Sequence, residues 1–198
     1  KEEARAELGI GREEKILLFF GFIREYKGLK YLIEAMRTVT ERFSDVKLLV
    51  VGDFSGAESK QEYMDRIEQC GAGDAIEVYD GYIPDKEVEK FFAACDLVTL
   101  PYISATQSGI VQIAFGFEKP VIVTDVGGLP DVVEDGKTGY VVGAGNPEEL
   151  AKAVIRYFTS DVEKQFRENI KKEAYRFSWD RMTEVVEELD RYDGREDS

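Results

Sequence analysis

The chain has 198 residues, 43% hydrophobic and 33% charged, which suits one packed domain or two small ones and excludes a generic disordered or membrane-embedded chain. With 26 Lys and Arg against 40 Asp and Glu the formal net charge is −14, so the overall field disfavours nucleic acid, and any phosphate site must be local, made of backbone amides and a few cations. Histidine is absent, which removes Ser-His-Asp triads, Cys-His pairs and HExxH zinc sites, and Cys70 and Cys95 lack metal-ligand spacing.

The longest apolar runs are strand-sized, well short of the roughly 20 residues that cross a bilayer. No secretory signal precedes them, and the two cysteines read as reduced thiols, so the expected compartment is the cytoplasm. Residues 1–14 read as a linker or helix. Lys15–Phe20 (KILLFF) is a continuous apolar run, as in a strand covered on both faces. After a turn, Leu29, Leu32, Ile33, Met36, Val39 and Phe43 recur at helical spacing. Val46–Val51 is a second buried strand, residues 58–69 a polar helix, and Ile76–Tyr79 a third strand. Asp85 follows Pro84 as a candidate helix cap, and Val88, Phe91, Phe92 and Cys95 form that helix's inner stripe. Leu97–Leu100, Pro120–Thr124 and Tyr140–Val142 read as three more strands, with a helix near Gly109–Phe117. Asn146-Pro147-Glu148-Glu149 predicts a capped helix start with a capping box completed by Glu149. A last helix is expected from Ser178, with Phe177 and Met182 as a hydrophobic staple and an acidic tail behind it.

This alternation of strand and helix predicts an α/β, Rossmann-like three-layer domain over residues 15–177, with a parallel sheet of about six strands. Such sheets bind ligands at the carboxyl ends of their strands, so the loops after each strand carry the functional information. Gly21–Gly28 (GFIREYKG) places Arg24 and Lys27 at the start of a helix, where cations oppose the helix dipole. A bound anion such as a diphosphate would explain them, and so would a solvated turn. Pro101–Ile110 contains the small, polar run Ser104, Thr106, Gln107, Ser108 and Gly109, whose amides could approach a phosphate or serve an ordinary cap at Thr106 or Ser108. Thr124–Val133 carries Gly127-Gly128, and Asp125 and Asp131 as candidate sugar-hydroxyl acceptors or simple caps. Gly81–Val88 offers a backbone rim for a base edge. The helix-face carboxylates, Glu87 and Glu89 among them, read as solvated, and no pair has glycosidase-type spacing.

Together, LLFFGFIREYKGLKYLIEAM, GYIPDKEVEKFFAACDLVTLPY and ATQSGIVQIAFGFEKPVIVTDVGGLPDVVEDGKTGYVV resemble the C-terminal half of family-4 (group 1) retaining glycosyltransferases of the GT-B architecture. The resemblance runs from about Lys15 to the final helix, in order and without gaps. It implies a donor-binding domain that takes a nucleoside diphosphate sugar (UDP- or GDP-sugar) and needs no cofactor or metal. Lys27 and Arg24 fall on the loop that meets the donor's diphosphate, together with Gly21 and Phe22; the family more often has Arg where Phe22 stands. Ile83 falls at the base edge. Thr106, Gln107, Ser108, Gly109 and Ile110 fall on the helix start that holds phosphate and donor sugar. The family's two glutamates, donor-sugar and ribose contacts, are replaced by Ala105 and Ile113, with Gln107 and Gln112 as nearby neutral substitutes.

The resemblance also implies retention of configuration in hexosyl transfer, mannosyltransferase-like enzymes among the relatives, and a role in cell-envelope polysaccharide synthesis. The acceptor site and a catalytic histidine belong to the family's N-terminal domain, so this piece is expected to bind donor and transfer nothing alone. No nucleic acid is expected as partner. The resemblance leaves open whether the full-length protein is peripheral to a membrane, as relatives acting on lipid-linked acceptors are. The alternatives are a non-catalytic nucleotide-sugar-binding or interaction domain and a related GT-B epimerase.

Overall fold

The computed structural model describes residues 1–54 and 60–176. The helix expected from Ser178, its staple and the acidic tail lie outside the described residues. Six strands form one parallel sheet in the order β3-β2-β1-β4-β5-β6. They are β1 (Lys15–Phe20), β2 (Val46–Gly52), β3 (Ile76–Asp80), β4 (Leu97–Leu100), β5 (Val121–Thr124) and β6 (Gly139–Val142). The connecting helices are α1 (Glu2–Glu7), α2 (Leu29–Arg42), α3 (Lys60–Gln69), α4 (Asp85–Ala94), α5 (Gly109–Gly116), α6 (Leu129–Val132), α7 (Pro147–Thr159) and α8 (Glu163–Arg176).

The three-layer arrangement follows from strand periodicity. Alternate residues of a strand face opposite sides of the sheet, so a run that is apolar throughout needs cover on both faces. In β1, Leu17 and Phe19 enter one core, with Leu32, Met36 and Val39 of α2 and Val154 of α7. Ile16 and Leu18 enter the other, with Phe92 of α4 and Val111 of α5. Pairing is in register from Lys15 against Val46 to Phe20 against Val51.

Chain order reverses at β1. From there β2 and β3 run to one side and β4, β5 and β6 to the other. The connections leaving β1 and β4 therefore diverge and open a crevice at the carboxyl ends of these two strands, the usual ligand site of such sheets.

Two local expectations change on inspection. Pro84, not Asp85, occupies the cap position of α4, and Asp85 is the first helical residue. At α7, Asn146 does cap the helix, its Oδ1 accepting from Glu149 N at 3.1 Å. The reciprocal half of the box does not form: the Glu149 carboxylate accepts from Gly143 N at 2.7 Å and from Asn146 Nδ2 at 3.0 Å. Glu149 thus ties the end of β6 to the start of α7.

The N-terminal helix packs on α4 through a buried arginine. Arg5 donates from Nε to Ala94 O at 3.0 Å, from Nη1 to the carbonyls of Gly11, Arg12 and Glu14, and from Nη2 to Asp96 Oδ2 at 2.9 Å. Asp96 Oδ2 also accepts from Ile16 N at 2.8 Å, which joins this network to the first residues of the central strand.

Candidate functional site

The loop leaving β1 is held against its neighbours before any functional group appears. Gly21 N donates to Val51 O and Ile23 N to Asp53 O, both at 2.9 Å, so ladder-like pairing continues past the strand ends. Ile23 is buried, and the chain then tightens into a single turn, Glu25–Lys27, before α2. Ile103 N donates to Tyr26 O at 2.7 Å and fastens this turn to the segment leaving β4.

Lys27 is thereby buried, 8% exposed. Its ammonium group lies 5.8 Å from the centre of the Tyr102 ring. No carboxylate pairs with it among the described residues. Burial holds its pKa below the ordinary lysine value, and the positive charge of Arg24 adds to the depression. A buried cation with no counter-charge is an expensive arrangement in a chain of net charge −14. An anion bound at Nζ would relieve it.

The segment leaving β4 forms the opposite wall. Thr124 Oγ1 donates to Tyr102 O at 2.6 Å, and the Tyr102 hydroxyl lies 3.3 Å from Ser108 Oγ. Ser108 caps α5, its hydroxyl accepting from Ile110 N at 3.3 Å. The segment leaving β5 backs this wall from behind, which explains the double glycine. Gly127 has φ +53°, and a β-carbon there would stand 1.7 Å from Ala105 O. Gly128 N donates to Thr106 O at 2.9 Å. The backbone after β5 therefore lies directly against Ala105-Thr106, and the glycines serve this close approach rather than a free ligand-binding loop.

Two adjoining hollows result. The first, about 620 Å³, has apolar walls from Phe22, Ile83, Val88 and Phe117, with Asp53 and Glu89 as its carboxylates. The second, about 650 Å³, is walled by Tyr26, Tyr102 and Ser104 to Gly109, with no acidic residue in its lining among the described residues. Lys27, Ile110 and Ile113 line both and mark the junction.

Most residues singled out from the sequence are gathered here. Gly21, Phe22 and Ile83 line the first hollow, Thr106, Gln107, Ser108 and Gly109 the second, and Lys27 and Ile110 both. Arg24 lines neither: its guanidinium lies over the Phe22 ring at 5.5 Å and donates to Ile23 O at 2.9 Å. Gln112 is exposed and lines neither hollow. Helix geometry gives the reason, since Ile110, Ile113 and Phe117 share one face of the α5 segment and Gln112 projects from another. Asp125 and Asp131 line neither hollow as well. Ala105 and Ile113 do lie on the walls, so hydrocarbon stands at those two positions. Sequence reasoning missed Glu89, which sits among other helix-face carboxylates with nothing in its spacing to distinguish it.

Fold and site define a Rossmann-like domain of the GT-B kind, with a two-lobed crevice at the strand-order reversal. Residues 1–177 match the profile of the glycosyl transferases group 1, and the chain belongs to that family. It is 35% identical over 149 residues to a D-inositol 3-phosphate glycosyltransferase of Segniliparus rotundus, covering 75% of this chain and 33% of that protein. Among solved structures, Anabaena HepE in complex with UDP-glucose superposes with a TM-score of 0.79 at 21% identity, over 95% of this chain and 51% of that one. The C-terminal domain of the group 1 glycosyl transferase LpcC from Francisella tularensis superposes with a TM-score of 0.76 at 21% identity, over 88% and 91%. The chain spans at most about half the length of the curated relatives it matches.

Proposed function

We propose that this chain is the donor-binding domain of a retaining glycosyltransferase, which moves a hexosyl group from a nucleoside diphosphate sugar to an acceptor held by a separate N-terminal domain. One observation carries the reading: a buried ammonium, with no carboxylate partner among the described residues, at the junction of two hollows beside the start of α5. The nucleoside occupies the first hollow, the diphosphate lies at Lys27, and the sugar reaches the second. That HepE was crystallised with UDP-glucose supports a nucleotide sugar as the ligand class.

Transfer breaks the bond between the anomeric carbon and the diphosphate oxygen, and negative charge accumulates on the leaving diphosphate. Lys27 is fixed in place beforehand by its buried stem, so it stabilises that charge without reorganising. The N-terminal amides of α5 add the favourable end of the helix dipole. Arg24, behind Phe22, acts at longer range on the same charge. Acceptor binding lies outside this domain, so the isolated chain binds donor and transfers nothing. The proposed setting is cytoplasmic; burial pushes the Cys95 thiol up to about 12 and keeps it unreactive in any setting.

Titration calorimetry with UDP, GDP and ADP tests the reading. One of them should bind, and Lys27→Ala should weaken that binding by roughly 10²-fold, the scale of a lost preorganised charge contact. Absence of binding by all three would overturn it. A non-catalytic nucleotide-sugar-binding domain is the second reading, favoured by the hydrocarbon at Ala105 and Ile113. Turnover by the intact protein with the bound donor would dismiss that alternative.

A further inference from the structure

We infer that Glu89 is a specificity-determining residue that accepts hydrogen bonds from the ribose hydroxyls of the bound nucleotide, an inference that rests on the nucleotide reading above. Among the described residues, the side chains lining the first hollow are apolar except at Lys27, Asp53, Glu89 and the exposed Tyr82, and only Asp53 and Glu89 are charged acceptors. With the diphosphate fixed at Lys27 and the base against Ile83 and Val88, the ribose lies between them. Its hydroxyls are donors that lose water on entering, and each requires an acceptor there. Ile113 and Phe117, on the facing wall, provide only hydrocarbon. Glu89 follows Val88 on α4 and provides a carboxylate that makes no hydrogen bond or ion pair among the described residues. Its neighbour Glu87, by contrast, is paired with Lys90 and lines neither hollow.

Charge makes the same point from the opposite direction. A carboxylate on the wall of an anion's hollow repels the diphosphate, so its presence lowers affinity unless it gains contacts of its own. Two vicinal hydroxyls aimed at one carboxylate supply such contacts, in the strong, charge-assisted class. Asp53 is the only other acid lining this hollow among the described residues. It follows β2 and, unlike Glu89, already has an interaction of its own within the chain.

The test is calorimetry on the full 198-residue chain with UDP, GDP and ADP and with the 2′-deoxy counterpart of each. The wild-type chain should prefer the ribonucleotide it binds over its deoxy form by roughly tenfold, the scale of one hydrogen bond to a charged acceptor. Glu89→Ala should reduce this preference to within about twofold while leaving affinity for the deoxy form equal or higher, because the repulsion is also gone. Glu89→Gln, which keeps a neutral acceptor, should retain a partial preference. Glu87→Ala should behave as wild type. Glu89 is exposed on a helix, so far-UV circular dichroism should show each variant folded. A full preference surviving in Glu89→Ala, or lost in Asp53→Ala instead, would overturn this inference and leave the nucleotide reading standing. Failure of every nucleotide to bind the wild-type chain would overturn both.

Discussion

The ammonium group of Lys27 sits 2.8 Å from the place a β-carbon on Gly21 would occupy. Gly21 also has φ +110°, so the position demands glycine twice, for backbone and for space. The two demands have different consequences. The backbone strain of Gly21→Ala should cost about 1–3 kcal/mol of stability. The new methyl meets only the flexible end of a lysine, which yields by moving. Gly21→Ala should therefore stay folded yet weaken nucleotide binding about tenfold or more, because Nζ leaves its preset position. Calorimetry and urea unfolding on the same sample separate the effects, and unchanged affinity would show that Nζ position does not matter.

Lys27 also predicts a pH dependence. Its pKa in the folded chain is lowered from 10.5, chiefly by burial and further by Arg24. The unfolded chain therefore binds the proton more tightly. Below the folded-state pKa, holding Lys27 charged diminishes stability; that penalty fades as pH rises from the folded value toward 10.5. Ligand binding runs the other way, since a diphosphate favours the charged form. Affinity for the nucleotide should fall as pH rises through the depressed pKa of the free domain, and binding above it should take up a proton. Calorimetry in buffers of different ionisation enthalpy reads that proton directly. Lys27→Met should abolish both the pH slope and the uptake.

Why Lys27 was legible and Arg24 and Gln112 were not comes down to what a sequence encodes locally. A cation just past a strand-end glycine must lie near the crevice mouth wherever the loop turns. Whether it points inward depends on the turn Glu25–Lys27 and on Ile23 being buried, which are tertiary outcomes. The strands were legible because their apolar runs leave no alternative to burial: β1 and β4 have the bounds their sequences suggest. Helix α8 was not read. Its charged sequence hides the contacts that hold it, Phe166 in one core and Ile170 in the other, with Glu118 pairing Arg167 and Lys171 from outside. Glu89 was unreadable for the same reason as Gln112, because both depend on which neighbour a helix face meets.

The contact between the loops after β4 and β5 gives a stability prediction. A β-carbon on Gly127 would overlap Ala105 O at 1.7 Å, and both partners are backbone. Unlike the lysine end beside Gly21, a carbonyl in a packed loop cannot swing aside. Gly127→Ala should destabilise the chain by about 3 kcal/mol or more and separate the two loops. Because Thr106 to Gly109 line the second hollow, donor-sugar recognition should weaken alongside stability. Gly136→Ala is the control, with φ +72° but nothing within 4 Å of the added carbon. It should lose only the strain, about 1 kcal/mol. Equal losses in the two variants would show that the close approach contributes nothing.

The Arg5 network supplies the largest expected loss far from the crevice. Asp96 is nearly buried and accepts from Arg5, from Lys1 and from Ile16 N. Arg5→Ala removes the guanidinium that faces both the carboxylate and four backbone carbonyls. Those acceptors stay behind, partly shielded from water, and Asp96 retains its charge with less to offset it. Breaking one side of such a buried pair should cost about 3–5 kcal/mol. Arg5→Lys should recover only part, since a point charge cannot reach the carbonyls and the carboxylate together. The double change Arg5→Met with Asp96→Asn should lose less than Arg5→Ala, because it removes the charge along with its partner. Urea unfolding followed by circular dichroism measures all three. A loss below about 1 kcal/mol in Arg5→Ala would mean that solvent reaches the network and that α1 docks by apolar contact alone.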